Sequence, residues 1–121
     1  MIGTLGAVVL DCPDPKALGA FYAEVLGGTL DAEDETWVDL KREGQQLLSF
    51  QQAPGHRPPV WPDPERPQQF HLDIEVPREQ WDAAEARVLA LGATLLESDD
   101  GARNWRVYAD PAGHPFCLCA C

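Results

Sequence analysis

Between Ala53 and Pro67 the chain reads APGHRPPVWPDPERP, six prolines in fifteen residues. A proline has no backbone N–H and a fixed φ, so this stretch can form neither a helix interior nor a central strand. It divides the chain into residues 1–53 and 68–121, with 54–67 as the linker. Neither half is long enough for an ordinary domain, whereas 121 residues suit one domain with a real core. The halves are therefore expected to be modules of a single domain, 1–121.

Each half reads in the same order. Leu5 to Cys12 is a β-branched apolar run that stops at Pro13-Asp14-Pro15, a strand followed by a helix with Asp14 as N-cap and Pro15 at its first position. Leu18, Phe21, Tyr22, Val25 and Leu26 keep helical spacing until Gly27-Gly28. Three strands are expected next, over 28–31, 36–40 and 45–51, with turns at Glu33–Glu35 and Glu43-Gly44. In the second half QQFHLDIEVP alternates, so Phe70, Leu72, Ile74 and Val76 share one face and His71, Asp73 and Glu75 the other. Pro77 then opens a helix with Trp81, Ala84, Val88 and Leu91 on one stripe, and strands follow over 93–97, 104–109 and 115–120.

Overlaying Cys12-Pro13 on Val76-Pro77 nearly superimposes LGGTL at 26–30 on LGATL at 91–95, so the chain is a tandem duplication of strand, helix and three strands. The overlay sets Ala7 opposite His71. Matching the last turns, Gly44 on Gly113, sets Leu48 opposite Cys117.

Composition excludes several functions. The net charge of −11 repels nucleic acid and anionic membranes. No apolar run is long enough to span a bilayer and the N-terminus lacks a charged signal-peptide start, so a cytoplasmic protein is expected. There is no GxGxxG, GxxxxGK[ST], HExxH, GxSxG or CxxC. Of the cysteines, Cys117, Cys119 and Cys121 alternate along one strand, where neighbours are poorly placed to bridge one another, and reduced thiols are expected.

The segments LDCPDPKALGAFYAEVLGG, FHLDIEV with its ALGATL helix exit, YADPAGHPFCL and the WPDP at Trp61–Pro64 together resemble the vicinal oxygen chelate superfamily, the glyoxalase, bleomycin-resistance and dihydroxybiphenyl-dioxygenase fold. The resemblance implies an α+β fold in which two tandem βαβββ modules form a cup-shaped mixed β-sheet flanked by helices, commonly in a homodimer. It also implies a divalent metal chelating two adjacent substrate oxygens, held by the first and last strands of each module. Those slots fall here on Ala7, about Leu48, His71 and Cys117, and Cys117 stands where Glu is common.

Alanine and leucine coordinate nothing, and a catalytic metal usually takes about three protein ligands. His71 and Cys117 hold a thiophilic ion only weakly unless Gln51, Asp73 or water completes the set. In the alternative reading, His71 is a hydrogen-bonded side chain and Cys117 a small buried apolar one. The expectation is a glyoxalase-like protein that binds a small organic molecule in its cup without a tight metal. His71 would supply a hydrogen bond or general base, Trp61, Phe50 and Trp105 the apolar surface, and Cys117 part of the lining. The second expectation is a metal-dependent lyase, isomerase or dioxygenase using zinc, manganese, nickel or iron.

Overall fold

The computed structural model describes Met1, residues 5–67 and residues 71–120. The described chain divides into two compact units, Met1–His56 and Arg57–Cys121.

The first unit holds β1 (Val9–Cys12), α1 (Pro15–Leu26), β2 (Thr29–Asp34), β3 (Trp37–Arg42) and β4 (Gln45–Gln52). The second holds β5 (Leu72–Glu75), α2 (Trp81–Ala90), β6 (Thr94–Glu97), β7 (Trp105–Ala109) and β8 (Pro115–Cys119). The sheet orders are β1-β4-β3-β2 and β5-β8-β7-β6, with the first and last strands of each unit parallel and the other neighbours antiparallel. These are the two α+β modules expected from the duplication.

Local chemistry explains the boundaries. Asp14 caps α1, its Oδ1 accepting from the Ala17 N–H at 3.1 Å, and Gly27 ends the helix at φ 76°. The β3–β4 hairpin turns on Glu43 and Gly44, both left-handed at φ 53° and 78°. The turn expected at Glu33–Glu35 lies later: β2 runs to Asp34, whose carboxylate accepts from the Thr36 N–H at 2.8 Å and its hydroxyl at 2.7 Å. Pro77 is extended, at ψ 137°, so the expected helix opens as a 3₁₀ turn over Arg78–Gln80. In the β7–β8 turn the buried Asp110 carboxylate accepts from the N–H groups of Ala112 and His114. Gly113, at φ 94°, lies so close to Pro58 that an added Cβ would sit 2.2 Å from the Pro58 Cβ. Most of the proline-rich stretch thus belongs to the second unit.

In the first unit, Leu18, Phe21 and Tyr22 of α1 pack on the face of the sheet made by Leu10, Val38, Leu40, Leu48 and Phe50. Tyr22 stacks on Phe50 with centroids 5.8 Å apart, and Phe21 meets Tyr22 edge-on. Phe50, expected on the ligand surface, is wholly buried here, because its parity on β4 matches Leu48 and faces the helix.

In the second unit α2 is held partly by charge. Arg106 on β7 reaches Asp99 at 2.6 Å, Asp82 at 3.1 Å and Glu85 at 3.2 Å, and its guanidinium lies over the Trp81 ring. Those carboxylates push the Arg106 pKa up. Tyr108 donates to Glu85 at 2.7 Å, and burial, with Glu85 next, raises its pKa. No helix among the described residues is long and apolar enough to cross a membrane.

Phe50→Ala would open a cavity beneath Tyr22 and is expected to lower unfolding stability by roughly 3–5 kcal/mol, read by denaturant titration.

Candidate functional site

The face of the second sheet opposite Ile74, Phe116 and Leu118 carries a pocket of about 290 Å³ lined by Trp61, His71, Asp73, Trp105, Val107, Pro115 and Cys117. Strand parity accounts for the set. Asp73 lies directly across from Cys117 in the parallel β5–β8 pair, and Val107 lies across from Cys117 in the antiparallel β7–β8 pair. His71 shares Asp73's parity two residues earlier. Trp105 and Val107, two apart on β7, present the same face.

The expected residues Trp61, His71, Trp105 and Cys117 are brought together; Phe50 is not among them. The register also moves one slot. Val9 pairs with Ser49 as Asp73 pairs with Cys117, so the first unit's counterpart of Cys117 is Ser49, not Leu48. A bulge between Leu40 and Lys41 adds one residue to β4 beyond the turn, and β7–β8 has no such irregularity. Ser49 is already engaged: its hydroxyl donates at 2.6 Å to Asp39 Oδ1, which also accepts from Trp37 Nε1 at 2.8 Å. Ala7 lies just outside β1.

Asp73 is the residue whose role had been left open. One donor atom each from His71, Asp73 and Cys117 lies within 4.8 Å of the others, and His71 Nε2 is 3.2 Å from Asp73 Oδ1. Cys117 is buried at the base, while the His71 and Asp73 side chains are about half exposed. Their alternation in FHLDIEV was the available signal. Cys12, Cys117 and Cys119 are thiols rather than disulfides, and Cys121 lies outside the described residues.

The pocket's outer wall is braced by charge. Trp61 Nε1 donates to Glu97 Oε2 at 3.3 Å, Glu97 Oε1 pairs with Arg103, and the Arg103 guanidinium lies 5.2 Å from the centre of the Trp105 ring. Hydrogen bonds from Arg103 first and Trp61 second hold the Glu97 carboxyl below its ordinary range.

Paired parallel–antiparallel βαβββ units with a pocket on one sheet define a vicinal oxygen chelate protein. The chain belongs to the glyoxalase-like domain family, whose model matches residues 7–119. Among solved structures it is similar to the fosfomycin resistance protein FosX from Listeria monocytogenes, at 17% identity, covering 100% of this chain and 93% of that one with a TM-score of 0.73. A glyoxalase/bleomycin resistance protein/dioxygenase family enzyme from Burkholderia phytofirmans PsJN matches at 20% identity, covering 96% and 97% with a TM-score of 0.73. A glyoxalase-related enzyme from Fulvimarina pelagi matches at 20% identity, covering 98% and 88% with a TM-score of 0.68. Comparison with curated proteins gives no match. At these identities the structural likeness establishes the fold.

Because the pKa of Glu97 is lowered in the folded protein, the stability it contributes is present above its unfolded value and is lost as pH falls through the folded one. Acidification below the ordinary glutamate range is expected to free Trp61 and change its fluorescence. A transition that persists in Trp61→Phe or in Glu97→Gln would refute the assignment.

Proposed function

We propose that this glyoxalase-like protein binds a small, largely apolar organic molecule in the second-unit pocket. The observation that carries the reading is the pairing of two tryptophans with one polar edge. Trp61, Trp105, Val107 and Pro115 offer apolar walls, and His71 with Asp73 offers a hydrogen-bonding end that fixes orientation. About 290 Å³ suits a compact ligand. His71, half exposed beside Asp73, is placed to donate to or take a proton from a ligand oxygen. A homodimer, resting on the superfamily resemblance, and a place in the cytoplasm, resting on the apolar-run and N-terminal reading of the sequence, complete the proposal.

A second reading, a divalent-metal-dependent lyase, isomerase or dioxygenase, is favoured by the convergence of His71, Asp73 and Cys117. A FosX from Listeria monocytogenes has been solved with Mn(II) and 1S,2S-dihydroxypropylphosphonic acid. A divalent ion at such a site would polarise adjacent substrate oxygens. Here His71 or Asp73 would have to serve as ligand rather than as base.

The test uses catechol, a small planar molecule with vicinal oxygens, titrated against full-length protein with tryptophan fluorescence as readout. Saturable quenching is expected, weakened roughly tenfold by Trp61→Ala or Trp105→Ala, on the order of 1.4 kcal/mol of lost aromatic contact. Binding unaffected by either substitution would refute the pocket assignment.

A further inference from the structure

We infer that the second-unit pocket selects a compact organic cation, a methylated ammonium group seated between the Trp61 and Trp105 indoles and balanced by the Asp73 carboxylate. The inference deepens the proposed function by giving the ligand a charge, and it rests on that reading of the pocket.

Three observations support it. First, the charge of the lining is one-sided. Asp73 brings a carboxylate whose side chain is 56% exposed, and none of the lining residues is a lysine or an arginine. His71 Nε2 lies 3.2 Å from Asp73 Oδ1, an approach that uses one carboxylate oxygen and leaves the other for what enters. A ligand that fills the pocket strips water from that carboxylate. A neutral molecule offsets the cost only through a hydrogen bond and an anion adds repulsion, whereas a cation answers it with its full charge. The net charge of −11 draws the same sign of ligand from solution.

Second, both tryptophans are prepared for a cation. The Trp61 indole N–H donates to Glu97 Oε2 at 3.3 Å, so the electropositive edge of this ring is spent on a carboxylate outside the lining, which enriches the π cloud left to the pocket. Trp105 already holds one cation, the Arg103 guanidinium, 5.2 Å from its ring centre. Glu97 pairs with that guanidinium, so its charge is balanced before a ligand arrives.

Third, the spacing fits. Asp73, Cys117 and Val107 lie side by side across β5, β8 and β7, and Trp105 precedes Val107 by two residues. Strands about 4.8 Å apart that rise about 3.4 Å per residue put the α-carbons of Asp73 and Trp105 roughly 12 Å apart. With both side chains reaching inward, that gap takes one trimethylammonium head, within the ~6 Å of a ring centre over which cation–π attraction acts. Its methyl groups meet Val107 and Pro115, and its charge meets Asp73.

The experiment titrates isotope-labelled, full-length protein at neutral pH with choline and, separately, with its neutral carbon isostere 3,3-dimethylbutan-1-ol. The tryptophan indole N–H resonances are the readout, assigned through the tryptophan variants, and spectral dispersion shows that each variant is folded. Choline is expected to shift the Trp61 and Trp105 signals saturably and to bind about tenfold more tightly than the alcohol. Asp73→Asn should cut that preference to roughly threefold or less, and Trp105→Leu, apolar but without a π face, should lower it as well.

Equal affinity for choline and the alcohol, or a preference unchanged in Asp73→Asn, would each overturn the inference. If catechol quenches Trp61 and Trp105 while choline gains nothing over its isostere, the inference falls and the pocket reading stands. If choline shows the preference while catechol does not quench, the cation site is upheld and the pocket is closed to catechol. If neither binds, both fall.

Discussion

Parallel pairing between the first and last strand of each unit is the constraint on which the remaining geometry depends. These strands are distant in sequence, and only the crossover through helix and hairpin lets them run side by side in one direction. Once they pair, register decides chemistry. Asp73 stands against Cys117, and a slip of one residue on β5 would turn His71 and Asp73 toward the helix side and bring Leu72 to the pocket.

The two units apply one plan to opposite ends. In both, the helix-facing side of the sheet is apolar, and in the second Arg106 adds a charged clasp onto α2. The other sides have diverged. Trp37 and Trp105 hold corresponding positions, across from Gln51 and Cys119, and their neighbours toward the turn are Asp39 and Val107. Asp39 takes the Trp37 indole N–H and joins it to Ser49, closing that surface with internal hydrogen bonds. Val107 has no such group to offer, and Trp105 remains 41% exposed as a pocket wall. The carboxylate-to-isopropyl difference between Asp39 and Val107, with Ser49 replaced by Cys117 and Val9 by Asp73, accompanies the change from a self-satisfied face to a receptive one.

Much of this was legible in advance because the signals are local. Capping by Asp14, the glycine exit of α1, the hairpin at Glu43-Gly44 and the period-two run through His71 all act over a few residues. The misreadings have equally specific causes. Counting from the turn lands on Leu48, because the bulge at Leu40/Lys41 has no glycine to betray it. Residue type alone suggests a ligand wall at Phe50, whereas the polar Ser49 and Gln51 on either side place it on the buried face. Asp73 lay in plain view on His71's face, but its nearness to Cys117 depends on pairing between strands over forty residues apart, which no local pattern records.

The contact between Pro58 and Gly113 ties the segment carrying Trp61 to the β7–β8 turn, beside Pro115 and two strand positions from Cys117. A side chain at position 113 would be strained by its positive φ and would collide with Pro58, so the turn and the arm could not keep this contact. The bare α-carbon of Gly113, a residue outside the pocket lining, is thus what lets the proline-rich arm lie against the turn and hold its tryptophan at the pocket wall.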